Sequence, residues 1–149
     1  TLGGVASPEG LKPGATGSLS AGRADQRSEH IAWSQDRGGT YLPTELAYDG
    51  GIYVLTETGI LSRYEAHTGT LSYRSRIEGG IAFTSSPWAY NGKVFCLDEE
   101  GTTFVITAGP TYALLHANDL EEMAQATPAL VGDRLLLRTE TRMYSIRRR

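Results

Sequence analysis

A recurrence at a spacing of 42 and then 41 residues constrains this chain more than any other feature. The first copy, Thr44-Glu45-Leu46-Ala47-Tyr48-Asp49-Gly50, aligns with Ser86-Pro87-Trp88-Ala89-Tyr90-Asn91-Gly92 and with Thr127-Pro128-Ala129-Leu130-Val131-Gly132-Asp133. Each copy opens on a hydroxyl residue, runs through a short apolar strand and closes on Gly with Asp or Asn. Those closing residues accept positive φ in a hairpin turn. A second apolar strand follows each turn: Ile52-Tyr53-Val54-Leu55, Val94-Phe95-Cys96-Leu97 and Leu135-Leu136-Leu137. These runs are continuous rather than alternating, which predicts burial on both faces. A polar turn and a third strand come next in every copy, the third strands being 61–64, 103–106 and 143–146. A fourth strand is present in the first two, at 71–74 and 113–116.

Four short strands repeating at about 41 residues predict an all-β fold of β-propeller blades. Residues 42–77 and 83–117 make two four-stranded antiparallel blades, and residues 126–147 make a third that stops before its fourth strand. The segment 30–35, with Trp33, stands 40 residues before Tyr73 and is expected to be the last strand of a preceding blade. Residues 1–29, rich in Gly, Ser and Pro, read as a loop or arm. About three blades form a partial propeller, since rings take roughly four to eight. A blade with two apolar faces must stack on neighbours. The chain is therefore expected to belong to a larger propeller or to assemble with further copies of itself. In the second case 30–35 would complete the open blade of a neighbour, and two copies would supply six blades. Asn118–Ala124 carries an Asn cap and first-turn acids, enough for a single helical turn between blades.

Composition narrows function mainly by exclusion. At 149 residues the chain is one domain in size, and its net charge of −3 comes without a basic stripe, so nucleic acid is not expected as a partner. The terminal Arg147-Arg148-Arg149 reads as a solvated tail. No apolar run reaches the ~18 residues of a membrane span, and the first residues, Thr1-Leu2-Gly3-Gly4, lack the signal-peptide pattern. Cys96 is the single cysteine and sits in an apolar strand, where a buried inert thiol is expected.

The stretch Glu65-Ala66-His67-Thr68-Gly69-Thr70-Leu71-Ser72-Tyr73 resembles the acidic-x-x-Thr-Gly-x-x-x-aromatic turn of the PQQ-like (quinoprotein-type) β-propeller repeat. Glu65 stands where that family prefers Asp, and Tyr73 where it prefers Trp. The second copy loses the Thr-Gly turn at Thr107-Ala108-Gly109-Pro110. The resemblance assigns Glu65, Thr68, Gly69 and Tyr73 to a structural turn: the hydroxyl binds local backbone, Gly69 makes a left-handed corner, and Tyr73 docks between blades. The family holds quinoprotein dehydrogenases, which use PQQ with calcium, and non-enzymatic members. It also favours a periplasmic or extracellular location.

Chemistry beyond that turn is sparse. Asp98-Glu99-Glu100 is dense in acid, but a calcium ion takes six to eight oxygens, and a solvated hairpin tip is the expected role. His30, His67 and His116 have no ligand spacing. Ser85-Ser86, Thr44 and Thr127 occupy a repeat position, so structural hydroxyls are expected there rather than a nucleophile. Trp33, Tyr41, Tyr48, Tyr53, Trp88, Tyr90 and Phe95 are expected mostly to pack between blades. No catalytic, cofactor or metal residue is assigned. The expected function is a non-enzymatic scaffold or protein-interaction module. The alternatives are a fragment of a quinoprotein-type dehydrogenase or a carbohydrate-binding propeller.

Overall fold

A computed structural model describes residues 30–36 and 38–147. The chain divides into two compact units, Thr1–Ile31 and Ala32–Arg149, and the first is described by His30 and Ile31 alone. Among the described residues of the second unit, eleven strands form three antiparallel sheets. Blade one orders β1 (Leu46–Tyr48), β2 (Gly51–Leu55), β3 (Ile60–Glu65) and β4 (Leu71–Arg76) side by side. Blade two repeats the pattern with β5 (Trp88–Tyr90), β6 (Lys93–Leu97), β7 (Thr102–Thr107) and β8 (Leu114–Asp119). Blade three has β9 (Ala129–Val131), β10 (Arg134–Arg138) and β11 (Met143–Arg147), with β11 at its outer edge. The architecture is a partial β-propeller.

The turns explain why these strands form where they do. Asp49 and Gly50 sit at φ 48° and 69°, and Asn91 and Gly92 at 47° and 71°. Two consecutive positive φ values make the tight turn whose twist matches paired strands, so each closes a hairpin in register, Tyr48 opposite Gly51 and Tyr90 opposite Lys93. The repeated hydroxyls tie blade to blade: Thr44 N–H donates to Ser86 Oγ at 2.9 Å, and Ser86 N–H donates to Thr127 Oγ1 at 2.9 Å.

Two cores lie between sheets. Tyr53, Leu55 and Leu61 of blade one pack on Val94, Cys96, Phe104 and Ile106 of blade two, with Ile77 and Phe83 from the connecting segment. Trp88 and Leu97 of blade two pack with Ala124 and Leu137, and the Trp88 and Phe95 rings stack at 5.5 Å. Full burial of each such side chain is worth roughly 1.5–3 kcal/mol. Both faces of β2, β3, β6 and β7 are therefore largely covered.

Several expectations change. Burial on both faces fails for the second strand of blade three: only Leu137 of β10 is buried, because no sheet among the described residues covers the far face. The helical turn at 118–124 does not form. Asn118 and Asp119 finish β8, Glu121 turns at φ 53°, and Ala124 N–H donates to Glu99 O at 3.1 Å. Asp98 is not at a solvated tip but buried, its Oδ1 accepting from Thr102 N–H at 2.8 Å. Tyr41 and Tyr90 are exposed rather than packed. Residues 32–35 pair with no strand among the described residues, and their side chains bind a turn instead.

Candidate functional site at the blade faces

The turn that closes blade one is built as a socket. Glu65 ends β3, and its backbone accepts from Gly69 N–H at 2.8 Å while donating to Thr70 O at 2.9 Å. The exposed Thr68 hydroxyl accepts from Thr70 N–H at 3.2 Å. Gly69 lies at φ 68°, and a Cβ there would stand 2.6 Å from Trp33 Cδ2. The missing side chain leaves the room that the indole fills. Trp33 Nε1 donates to Ala66 O at 2.8 Å, Gln35 Nε2 donates to Gly69 O at 2.7 Å, and the indole stacks on Tyr64 at 6.5 Å.

Tyr73 stands one strand away and makes the matching contact toward blade two. It is half-buried, packs on the first inter-blade core and meets Tyr112 edge-on at 5.6 Å. Blade two lacks the Thr-Gly pair but keeps the backbone bonds of the turn. Thr107 N–H donates to Ala113 O at 3.0 Å and Ala108 N–H to Gly92 O at 3.0 Å, repeating Glu65 to Thr70 and Ala66 to Gly50.

Between the turn and the core lies Arg63, which sequence reasoning did not single out. It is 3% exposed and opposes Tyr53 on one side and Tyr73 on the other. Its guanidinium sits 5.8 Å from the Tyr53 ring centroid. Its Nη1 donates to Glu65 Oε1 at 2.5 Å and to Ser72 Oγ at 2.7 Å. Gly51 makes room: a Cβ there would be 2.5 Å from Arg63 Nε. The available signal was the Arg63-x-Glu65 spacing, which puts both side chains on one face of β3 opposite a glycine. Arg63 Nε and Tyr73 Oη are buried without a hydrogen-bond partner.

The hydrogen bond from Arg63 holds the Glu65 carboxyl below its ordinary range. Because the folded value is depressed, the stabilisation is present above the unfolded value of about 4.3 and is lost as pH falls through the folded one. Glu65→Gln is expected to flatten the acid limb of a Tm-against-pH profile between about pH 5 and 2. An unchanged limb would show that the Arg63 pair carries none of it. Burial shifts the Asp98 carboxyl the other way, so ionising it as pH rises costs stability. Burial also pushes the Cys96 thiol up, away from thiolate chemistry.

The remaining candidates scatter. His67 and His116 are exposed and lie on different blades. Glu99, Glu100, Asp119, Glu121 and Glu122 border one cleft, yet among the described residues no group of three ligating side chains is arranged to hold a metal. The Glu122 carboxyl is engaged by Thr141, whose N–H donates to it at 3.1 Å, and by the Tyr144 hydroxyl at 3.2 Å.

No family model matches the chain. Its structure is similar to the crystal structure of BamB from Moraxella catarrhalis, a β-propeller, at a TM-score of 0.55 and 16% identity. The match covers 69% of this chain and 32% of that one, so the chain spans about a third of the length of the structure it resembles. The likeness is one of fold.

Proposed function

We propose that this chain is a PQQ-like β-propeller segment that works as a non-enzymatic scaffold, with its open blade faces and edges binding protein. The observation that carries this reading is the contrast between blades. The interfaces of blades one and two bury Tyr53 and Leu97 completely, whereas blade three exposes Leu130, Val131, Met143 and Ile146 beside the β11 edge, which pairs with no further strand among the described residues. Apolar surface next to a free edge is the chemistry of an interaction site. Pairing between copies through the 30–35 segment is one form such binding would take. A periplasmic or extracellular setting accords with the repeat family.

The dehydrogenase alternative makes this chain part of an enzyme whose calcium and PQQ ligands lie outside it, and what supports the scaffold reading is the state of the chain's own carboxylates. Asp98 is buried and already accepts from Thr102, and the carboxylates of the acidic cleft lie in no metal-binding arrangement. The test is the full chain incubated with PQQ and Ca²⁺, an alcohol or sugar, and an artificial electron acceptor. No turnover above the cofactor blank is expected; quinone-dependent turnover would overturn the proposal. A glycan array is expected to stay blank, and specific sugar binding would favour the carbohydrate reading through exposed aromatics such as Tyr41 and Tyr90.

A further inference from the structure

Each blade has one face toward its successor, and strand register makes the three faces comparable position by position. Gly51, Tyr53 and Leu55 of β2 correspond to Lys93, Phe95 and Leu97 of β6 and to Arg134, Leu136 and Arg138 of β10. On the third strands, Leu61, Arg63 and Glu65 correspond to Thr103, Val105 and Thr107, and to Met143, Ser145 and Arg147. Leu55 is 1% exposed and Leu97 is fully buried. Blade three thus carries arginine where each of the other two carries a buried leucine.

The charges on this face are out of balance. Arg134 and Arg147 stand directly opposite each other across the β10–β11 ladder, and like charges in that position repel. Arg134 reaches Asp133 at 3.8 Å in a solvent-exposed pair and donates from Nη1 to Ser145 Oγ at 3.2 Å. Arg138 lines a cleft of about 260 Å³ with Met123, Gln125 and Glu140. Blade one shows how this fold neutralises an arginine on the same face. There Arg63 is held by Glu65 and by Ser72 of the fourth strand. In blade three the Glu65 position is Arg147, and no fourth strand pairs with β11 among the described residues.

We propose that the open face of blade three docks an extended acidic strand of a partner protein, which pairs antiparallel with the outer edge of β11 and sets carboxylates against Arg134, Arg138 and Arg147. The proposal rests on the interaction-module reading and names its surface and ligand chemistry. Fourth strands in both complete blades run antiparallel to the third, which fixes the direction of the incoming strand. A carboxylate opposite Arg147 would pair with it directly, and one opposite Ser145 would come within reach of Arg134. The alternate, apolar residues of the same strand turn to the other face of β11, where Ile146 is 44% exposed. An all-apolar blade does not suit this face, because Arg138 would be buried without a counter-charge.

The test uses the full chain and fluorescein-labelled eight-residue peptides that alternate Val with Glu, with Lys or with Thr. The Glu peptide is expected to bind at least ten-fold tighter than the Lys peptide, to weaken with salt, and to slow hydrogen exchange across β11. Arg138→Glu is expected to lower the preference for the Glu peptide at least ten-fold. Arg147→Glu, at an exposed strand end, gives a second variant should the first fail to fold. Equal binding of the three peptides, or none, would overturn the proposal. So would β11 amides in the free chain as protected as those of β10, or a dimer by light scattering that Arg138→Glu disrupts; either result would leave the interaction reading standing with a different occupant.

Discussion

Replacing Phe83 by alanine is expected to lower the unfolding free energy by about 3–5 kcal/mol. The residue lies in the segment joining blade one to blade two and is fully buried. It fills the place that two glycines leave: added Cβ atoms at Gly59 and Gly80 would stand 2.8 Å and 2.6 Å from its ring. Its ring lies 6.0 Å from that of Phe104 in blade two, and its N–H donates to Glu57 O in blade one at 2.9 Å. The side chain therefore touches both blades and the turn of the first. Alanine would leave a cavity walled by a glycine turn, a site poorly able to collapse. Against a typical stability of about 5–15 kcal/mol, such a loss consumes much of the total. Urea unfolding followed by far-UV circular dichroism reads it. Repeat stacks gain stability from nearest-neighbour interfaces, so the fluorescence of Trp88, in the next interface, is expected to survive to higher urea than that of Trp33, seated on the blade-one turn. A loss under about 1 kcal/mol would show that the blades are held together elsewhere. Phe83→Leu, which keeps most of the volume, is expected to cost well under half as much.

The parts of the fold legible in the sequence are those set by local chemistry and repeated. Asp49-Gly50 and Asn91-Gly92 announce their turns because few other residues accept two consecutive positive φ values. The apolar runs of β2 and β6 announce burial, and of the hydroxyls that recur at 44, 86 and 127, those of Ser86 and Thr127 each accept from the backbone N–H of the preceding repeat. What stayed hidden depends on partners distant in sequence. Leu136 stands where Tyr53 and Phe95 stand in the other blades, yet its exposure is decided by whether a sheet lies across from it. Arg63 reads as a solvent-facing strand residue until Gly51 of the adjacent strand vacates the space above it. Asp98 belongs to an acidic triplet that looks solvated, but it faces inward because Thr102 N–H needs an acceptor at that turn. The Asn118–Ala124 stretch holds helix-starting residues whose preference is worth only tenths of a kcal/mol per residue. Pairing Asn118 with Thr103 and Asp119 with Thr102 in β8 outweighs it. The docking face of blade three became readable only once register aligned Arg138 with Leu55 and Leu97.

Gly101→Ala is expected to cost on the order of 3 kcal/mol and to loosen blade three from blade two. Gly101 lies in the turn before β7 at φ 95°, a conformation that costs a side-chain-bearing residue roughly 1–3 kcal/mol. A Cβ there would also stand 2.2 Å from the Glu122 carbonyl oxygen and 3.1 Å from its carbon. Both are backbone atoms, so no rotamer change relieves the clash, and the 121–123 segment must move. That segment anchors the third blade: the Glu122 carboxyl receives Thr141 and Tyr144, and Met123 O accepts from Glu140 N–H at 2.8 Å. Shifting it weakens the cluster of Trp88, Leu97, Ala124 and Leu137. Gly92→Ala supplies the control, since Gly92 has φ 71° but open space around its missing Cβ. The difference between the two variants isolates the clash from the backbone preference. Hydrogen exchange is expected to rise across β10 in Gly101→Ala while β2 stays protected, and Trp88 emission is expected to shift to longer wavelength. Equal losses in the two variants would mean that the Glu122 carbonyl yields freely and that the turn of blade two does not hold blade three in place.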